Sequence, residues 1–370
     1  MHRGTFHRWL LVSVVAAILY GRAPALASET PQIPSAPASA QAGATQAEAP
    51  HIALLLPLSS SAFGRHADAV RNGFFGAAKV QGGTPLPLRI YAVGDDTRQI
   101  VEGYRKALSA GARLVVGPLT RNGVTAIADG PVPVPTLALN VPEGNVKLPA
   151  NLYLFSLQAE AEARQVARLA YLEGRRNALT VSGDTQILKR IHQAFVEEFS
   201  RLGGAHVSEF AYTADPAALS KLKQLAGLEV ADMAFLALDF SRARLARPYL
   251  DPLALYATSQ VHPSNAGPLA GFDLAGVRFL DMPWLLQPEH PAVMVYPRGD
   301  SRDIVELDRF YALGIDAFRI ALSLLAGRFP PALDGVTGRI TLERDQQFTR
   351  NLTAAQYHQG KPAVSIKPLP

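Results

Sequence analysis

His51-Ile-Ala-Leu-Leu-Leu-Pro-Leu-Ser-Ser-Ser-Ala-Phe-Gly64 is a continuous apolar run broken at Pro57, then three hydroxyls in a row, then the start of a helical stripe. From there to Lys79 apolar residues recur at Phe63, Ala67, Val70, Phe74 and Ala77, while Arg65, Asp68, Arg71 and Asn72 turn outward. That alternation of four and three is one face of a helix. A strand apolar on both faces belongs to a parallel sheet covered by helices. The strand-to-helix turn at Ser59, Ser60 and Ser61 then lies at a carboxyl edge, where open α/β sheets place their ligands.

The same rhythm continues downstream. Strand-like segments at 88–93, 114–116, 136–139, 152–155, 177–181, 206–212, 233–238 and 254–257 alternate with helical stretches. Alternation of this kind implies right-handed crossovers and mostly parallel sheets. About 320 residues follow from His51, and so many units exceed one sheet, so the fold class expected is two-lobed α/β. The last third differs. Val277-Arg-Phe-Leu280 reads as a strand, and Asp281-Met-Pro-Trp284 as a rigid extended connection because Pro283 restricts Met282. The stripe Leu307, Tyr311, Ile315, Phe318, Leu322 and Leu325 predicts a long helix over 304–326, and strands are expected at 336–342 and 348–357.

Upstream of His51 the chain reads as delivery. Arg3 and Arg8 precede an apolar run from Trp9 to Tyr20, and Ala25-Leu-Ala27 supplies small residues for cleavage. Twelve apolar residues rise only about 18 Å as a helix, short of a hydrocarbon core of roughly 30 Å. Residues 1–27 are therefore expected to be a cleaved signal peptide. Residues 28–50, rich in Ala, Pro, Ser, Thr and Gln, read as a flexible linker. Loss of Arg3, Arg8 and Arg22 leaves 33 basic against 31 acidic residues, and no block of like charge supports nucleic-acid binding. The chain has no cysteine, which excludes disulfides, thiolate chemistry and a lipid-bearing cysteine. The expected location is the periplasm, with no transmembrane segment in the mature chain.

The residues offer binding chemistry more than catalysis. The histidines lack metal-ligand spacing, and no phosphate loop, dinucleotide fingerprint or nucleophile elbow occurs. Asp95-Asp96 reads as a helix cap, and the Ser-x-x-Lys match at Ser220 to Lys223 as a solvated helix face. No cofactor, metal or catalytic residue is expected. Ser59, Ser60, Ser61 and Thr120 place hydroxyls ahead of helices, where free N–H groups favour anions. Asn140, Ser156, Asp184 and Asp239 end strands and join them as ligand-cleft candidates. The competing reading is that Ser59–Ser61, Thr120 and Asp239 merely cap helices.

Several stretches together carry a resemblance. They are Ile52-Ala-Leu-Leu-Leu-Pro-Leu-Ser59 with Val70-Arg-Asn-Gly-Phe74, Val115-Val-Gly-Pro-Leu119, Pro135-Thr-Leu-Ala-Leu-Asn140 and Glu160-Ala-Glu-Ala-Arg-Gln165. Tyr256-Ala-Thr-Ser259, Gly276-Val-Arg-Phe-Leu-Asp-Met-Pro-Trp-Leu-Leu286, Tyr311-Ala-Leu-Gly-Ile-Asp-Ala-Phe318 and Gly335-Val-Thr-Gly338 complete the set. In these stretches, spread in order over 51–360, the chain resembles the C-terminal domain of the penicillin-binding protein activator (LpoA/LppC) family, which has a type I periplasmic-binding fold. The resemblance implies one lobe of 51–156 plus 282–335 and another of 157–281 plus 336–370, joined by a three-crossing hinge. It implies a non-enzymatic activator of peptidoglycan synthesis in a Gram-negative bacterium, acting by contact with a bifunctional penicillin-binding protein. Members are outer-membrane lipoproteins; this chain lacks the anchoring cysteine, and only a linker is expected before His51. The alternative is a periplasmic solute receptor. It would close on an amino acid or similar small anion, with Ser59–Ser61 and Thr120 on the carboxylate and Asp184 or Asp239 on the ammonium group, and serve an ABC importer or sensor.

Overall fold

A computed structural model describes residues 49–228, 230–263, 269–298 and 304–364. The expected signal peptide (1–27) and all but the last two residues of the expected linker (28–50) lie outside the described residues.

The opening run forms strand β1 (His51–Leu56), buried at all six positions. Its side chains alternate between two cores. Ile52, Leu54 and Leu56 enter one cluster with Phe74 and Phe318, while Ala53 and Leu55 enter another with Ile100, Tyr104 and Val124. A strand between two apolar layers needs no polar face, which is why the run reads as continuous. Helix α1 (Gly64–Val80) follows, burying Ala67, Val70, Phe74 and Ala77 of the predicted stripe. Phe63, just before it, is instead 41 % exposed.

The first half continues with β2 (Leu88–Ala92), α2 (Thr97–Ser109), β3 (Ala112–Val116), α3 (Arg121–Ala128), β4 (Thr136–Ala138) and β5 (Leu152–Phe155). Asp96 caps α2, accepting from the amides of Arg98 and Gln99. The second half builds from α4 (Ala159–Leu172), β6 (Asn177–Ser182), α5 (Gln186–Arg201), β7 (Ala205–Ala211), α6 (Pro216–Ala226), β8 (Met233–Ala237), α7 (Phe240–Ala246), β9 (Ala254–Ala257) and β10 (Arg278–Asp281). Two-sided burial recurs at its centre. Met233 and Phe235 of β8 face a core with α4 and α5 residues, and Ala234 and Leu236 face one with α6 and α7 residues.

After β10 the chain returns to the first half. Pro283 stands in the first turn of a short helix, α8 (Pro283–Leu286), so the expected extended connection is confined to Met282. Beyond α9 (Pro291–Met294) lies the long predicted helix, α10 (Val305–Leu325), whose Tyr311, Ile315 and Phe318 sit in the first core. It crosses α1 almost at backbone contact. A Cβ on Gly73 would lie 1.9 Å from the Tyr311 carbonyl oxygen, and one on Gly314 would lie 2.1 Å from that of Val70. Only glycine permits this approach.

The closing strands are β11 (Leu333–Asp334), β12 (Arg339–Leu342), β13 (Gln347–Asn351), β14 (Thr353–His358) and β15 (Lys361–Val364). The two sheets have the orders β11-β12-β13-β5-β4-β3-β1-β2 and β15-β14-β10-β9-β8-β6-β7. Both are parallel except for the antiparallel pairs β11–β12, β12–β13, β10–β14 and β14–β15. This is the expected two-lobed α/β class. One assignment is corrected. Residues 339–351 join the first sheet, through β13 paired parallel to β5 at Gln347 and Leu154, with Ile340 and Phe348 in the first core. The stretch expected as one strand over 348–357 is therefore two strands in different sheets, and the third crossing falls at Leu352 rather than near residue 335.

Candidate functional site

The eight candidates lie where strands end, and most of their polar atoms are already engaged. The Ser59 amide donates to the Val93 carbonyl at 3.0 Å. Ser60 is buried, and its Oγ accepts from the amides of Ala62 (3.2 Å) and Phe63 (3.0 Å), closing the turn before α1. Ser61 is exposed. Thr120 is buried at the start of α3 with its hydroxyl unpartnered among the described residues. Asn140 ties two loops, donating to the Leu119 carbonyl (2.9 Å) and accepting from the Val141 amide (3.0 Å). Asp184 and Asp239 are brought together by Arg242, which donates to Asp184 at 2.9 Å and pairs with Asp239, itself the cap of α7. Ser156 is buried, its carbonyl accepting from Arg350 Nε at 3.0 Å.

None of the eight lines the cavity of about 340 Å³ that opens where the chain passes between the sheets. Its polar walls come from residues outside the candidate set: Glu162 of α4, Ser259 and His262 after β9, Asp281 at the end of β10, Arg309 of α10 and Arg350 of β13. They form one network. Asp281 accepts from Arg309 Nη2 (2.6 Å), the Met282 amide (2.8 Å) and His262 Nδ1 (2.8 Å). Arg309 also reaches the carbonyls of Ser259 (3.3 Å) and His262 (3.4 Å), so a helix of the first lobe grips the second. Glu162 accepts from the amide of Ser259 and from its hydroxyl at 3.1 Å.

The two buried carboxyls are tuned in opposite directions. Burial raises Glu162, the nearby Asp281 charge adds to it, and the group stands at about 7. Burial also pushes Asp281 up, but the Arg309 guanidinium and His262 outweigh it and hold the group at about 2. A second tie crosses the same gap. Glu160 of α4 sits between Arg121 of α3 (3.6 Å) and Arg190 of α5 (2.8 Å).

Ser259, His262 and Asp281 are the residue types of a hydrolytic triad. However, the Ser259 hydroxyl donates to Glu162 and not to His262, so the three are not linked in the Ser–His–Asp relay. Among the described residues no three acidic or imidazole groups are arranged to hold a metal, and no helix is long and apolar enough to cross a membrane. Asp281 and Arg309 are spent on each other, and Glu162 on Ser259, whereas Arg350 makes no ion pair among the described residues.

Comparison with known proteins agrees with this architecture. Residues 40–239 and 232–360 match the family described as "LppC putative lipoprotein". A protein of Pantoea ananatis named penicillin-binding protein activator LpoA is 29% identical over 315 residues, covering 71% of this chain and 46% of its own length. Its namesake in Edwardsiella ictaluri is 26% identical over 389 residues, covering 93% and 56%. The chain thus spans about half the length of the curated relatives it matches. Among solved structures, one from Chromobacterium violaceum, described as a "putative branched-chain amino acid ABC transporter", is 40% identical with a TM-score of 0.71. It covers 83% of this chain and 99% of its own. The C-domain of LpoA from Haemophilus influenzae, described as a regulator of PBP1A, superposes with a TM-score of 0.73 at 24% identity, covering 85% and 100%, a likeness of fold. Matched from residue 40 to residue 360, with its two-sheet fold intact, the chain belongs to the LppC family.

Proposed function

We propose that this chain is an exported, non-enzymatic regulator of peptidoglycan synthesis that acts by contacting a penicillin-binding protein. One observation carries the reading: the acidic groups that a receptor would offer to an ammonium group are already engaged by the chain's own side chains. Arg309 neutralises Asp281, Ser259 satisfies Glu162, and Arg242 occupies both acids that an ammonium group would need. A receptor for an amino acid needs those groups free. The names of the curated relatives support the same conclusion. In this reading the three chain crossings form a hinge that the Arg309–Asp281 pair holds shut.

The description of the Chromobacterium relative favours a second reading, in which the chain is the receptor of an amino-acid importer. One experiment separates them. Thermal unfolding is followed with each free amino acid, and the chain is used in parallel as bait for a purified bifunctional penicillin-binding protein. A ligand at 100 times its Kd adds about 2.7 kcal/mol to stability, a readily measured shift. Capture of the synthase with no amino-acid shift is the expected result. A saturable amino-acid shift without synthase binding would overturn the proposal in favour of the receptor.

A further inference from the structure

A second cavity, of about 500 Å³, shares only one lining residue with the first, the guanidinium-bearing Arg350. Helix α4 divides the two: Glu162 looks into the first, whereas Ala161, Arg164 and Arg168 look into the second. The opposite wall is the β12–β13 hairpin, so the groove is built by both lobes.

Its polar groups fall into two sets. Some are committed: Arg168 pairs with Glu198 (2.6 Å), Gln165 holds the Arg350 carbonyl and the Leu352 amide, and Thr341 and Thr349 both donate to Glu343. Others are not. The half-buried Arg164 makes no ion pair or hydrogen bond among the described residues, and neither do the side-chain amides of Gln158, Gln347 and Asn351. Among the described residues Arg350 meets only neutral acceptors directly, the carbonyls of Ser156 (3.0 Å) and Thr337 (3.3 Å), neither through Nη2. Burial dominates over Glu162, Asp316 and Asp281 and depresses its basicity, the mark of an under-compensated cation.

We propose that this groove binds a short acidic peptide, its carboxylate held by Arg164 and Arg350 and its backbone by the amides of Gln158, Gln347 and Asn351. Guanidinium groups match carboxylates in bidentate geometry. Side-chain amides pair with both the N–H and the C=O of a peptide unit, which a bare inorganic anion lacks. The volume is that of a small-ligand site, 300–1,000 Å³ as a rule. Because the walls come from different lobes, the bound peptide bridges them. The inference goes beyond synthase contact and stands without it.

The test is calorimetric titration of the purified chain with N-acetyl-Glu-Glu, alongside N-acetyl-Gln-Gln-amide and inorganic phosphate. Saturable binding of the acidic peptide is expected, weakened at least tenfold in Arg164→Ala and several-fold in Gln347→Ala, with little response to the other two probes. Both substitutions are at half-buried positions outside the cores, and unchanged thermal unfolding of each variant confirms that it is folded. No binding at millimolar peptide, equal binding of the neutral peptide or of phosphate, or undiminished affinity in Arg164→Ala would each overturn the proposal. The synthase bait experiment reports separately, so its failure and this one are distinguishable.

Discussion

Replacing Asp281 by alanine tests the latch. The carboxylate is 2 % exposed and accepts from Arg309, His262 and the Met282 amide. Its removal leaves Arg309, whose side chain is 16% exposed, with two long carbonyl contacts and the carboxyl of Glu162 nearby. Breaking one side of a buried ion pair costs about 3–5 kcal/mol, most of it the stranded charge. At roughly 2 °C per kcal/mol for a chain of this size, Asp281→Ala lowers the calorimetric Tm by about 6–10 °C at pH 7. The pH dependence gives an independent reading. Asp281 is depressed from 3.8 to about 2, so its contribution is present above pH 3.8 and is lost as pH falls through 2. That contribution is about 2 kcal/mol, and in Asp281→Asn the acid limb disappears. A double-mutant cycle with Arg309→Met completes the test: the pair should lose less than the sum of the singles by more than 1 kcal/mol. A loss below about 1 kcal/mol for Asp281→Ala, or strict additivity in the cycle, would refute the latch.

Glu162 predicts the opposite limb: its folded value of about 7 lies above 4.5, so stability is full below pH 4.5 and falls by about 3 kcal/mol as pH rises through 7. Glu162→Gln keeps an acceptor for the Ser259 amide and should flatten this slope in urea titrations between pH 4.5 and 7.5. Gly314→Ala drives a methyl to 2.1 Å from the Val70 carbonyl oxygen and should lower stability by about 3 kcal/mol or more, read as a fall in the urea midpoint. Arg242→Ala, by contrast, frees the exposed Asp184 and the partly exposed Asp239 and should cost under about 1 kcal/mol, with no gain of amino-acid binding in the thermal-shift screen.

Local pattern was enough for the strands and helices wherever burial is periodic. β1, α1 and α10 show it: each carries its apolar residues at the spacing its two cores or one core demand. Sheet membership was harder. Phe348 and Tyr357 look alike along the chain, yet one packs in the first core and the other in the second, a matter of long-range pairing that no window of residues contains. The site was least legible. Glu162, Asp281, Arg309 and Arg350 are far apart along the chain, and each looks like a solvated charge when read alone. A clue did exist in Glu162, which interrupts the buried stripe of Ala163, Val166, Ala167 and Ala170 on α4. Conversely, Ser60 attracted notice as a hydroxyl at a strand end, but its own turn consumes it.

Leu352 is the whole length of chain between a strand of one sheet and a strand of the other. One residue spans at most about 3.6 Å, and Gln165 pins both sides by holding the Arg350 carbonyl and the Leu352 amide. Such a joint has no slack to pay out. The halves can twist about it as on a torsion pin, but they cannot be drawn apart along it, and a pull on either sheet passes directly to the other. Under the proposed regulatory role, this taut splice and the equally short Met282 between β10 and α8 are covalent routes by which one half loads the other.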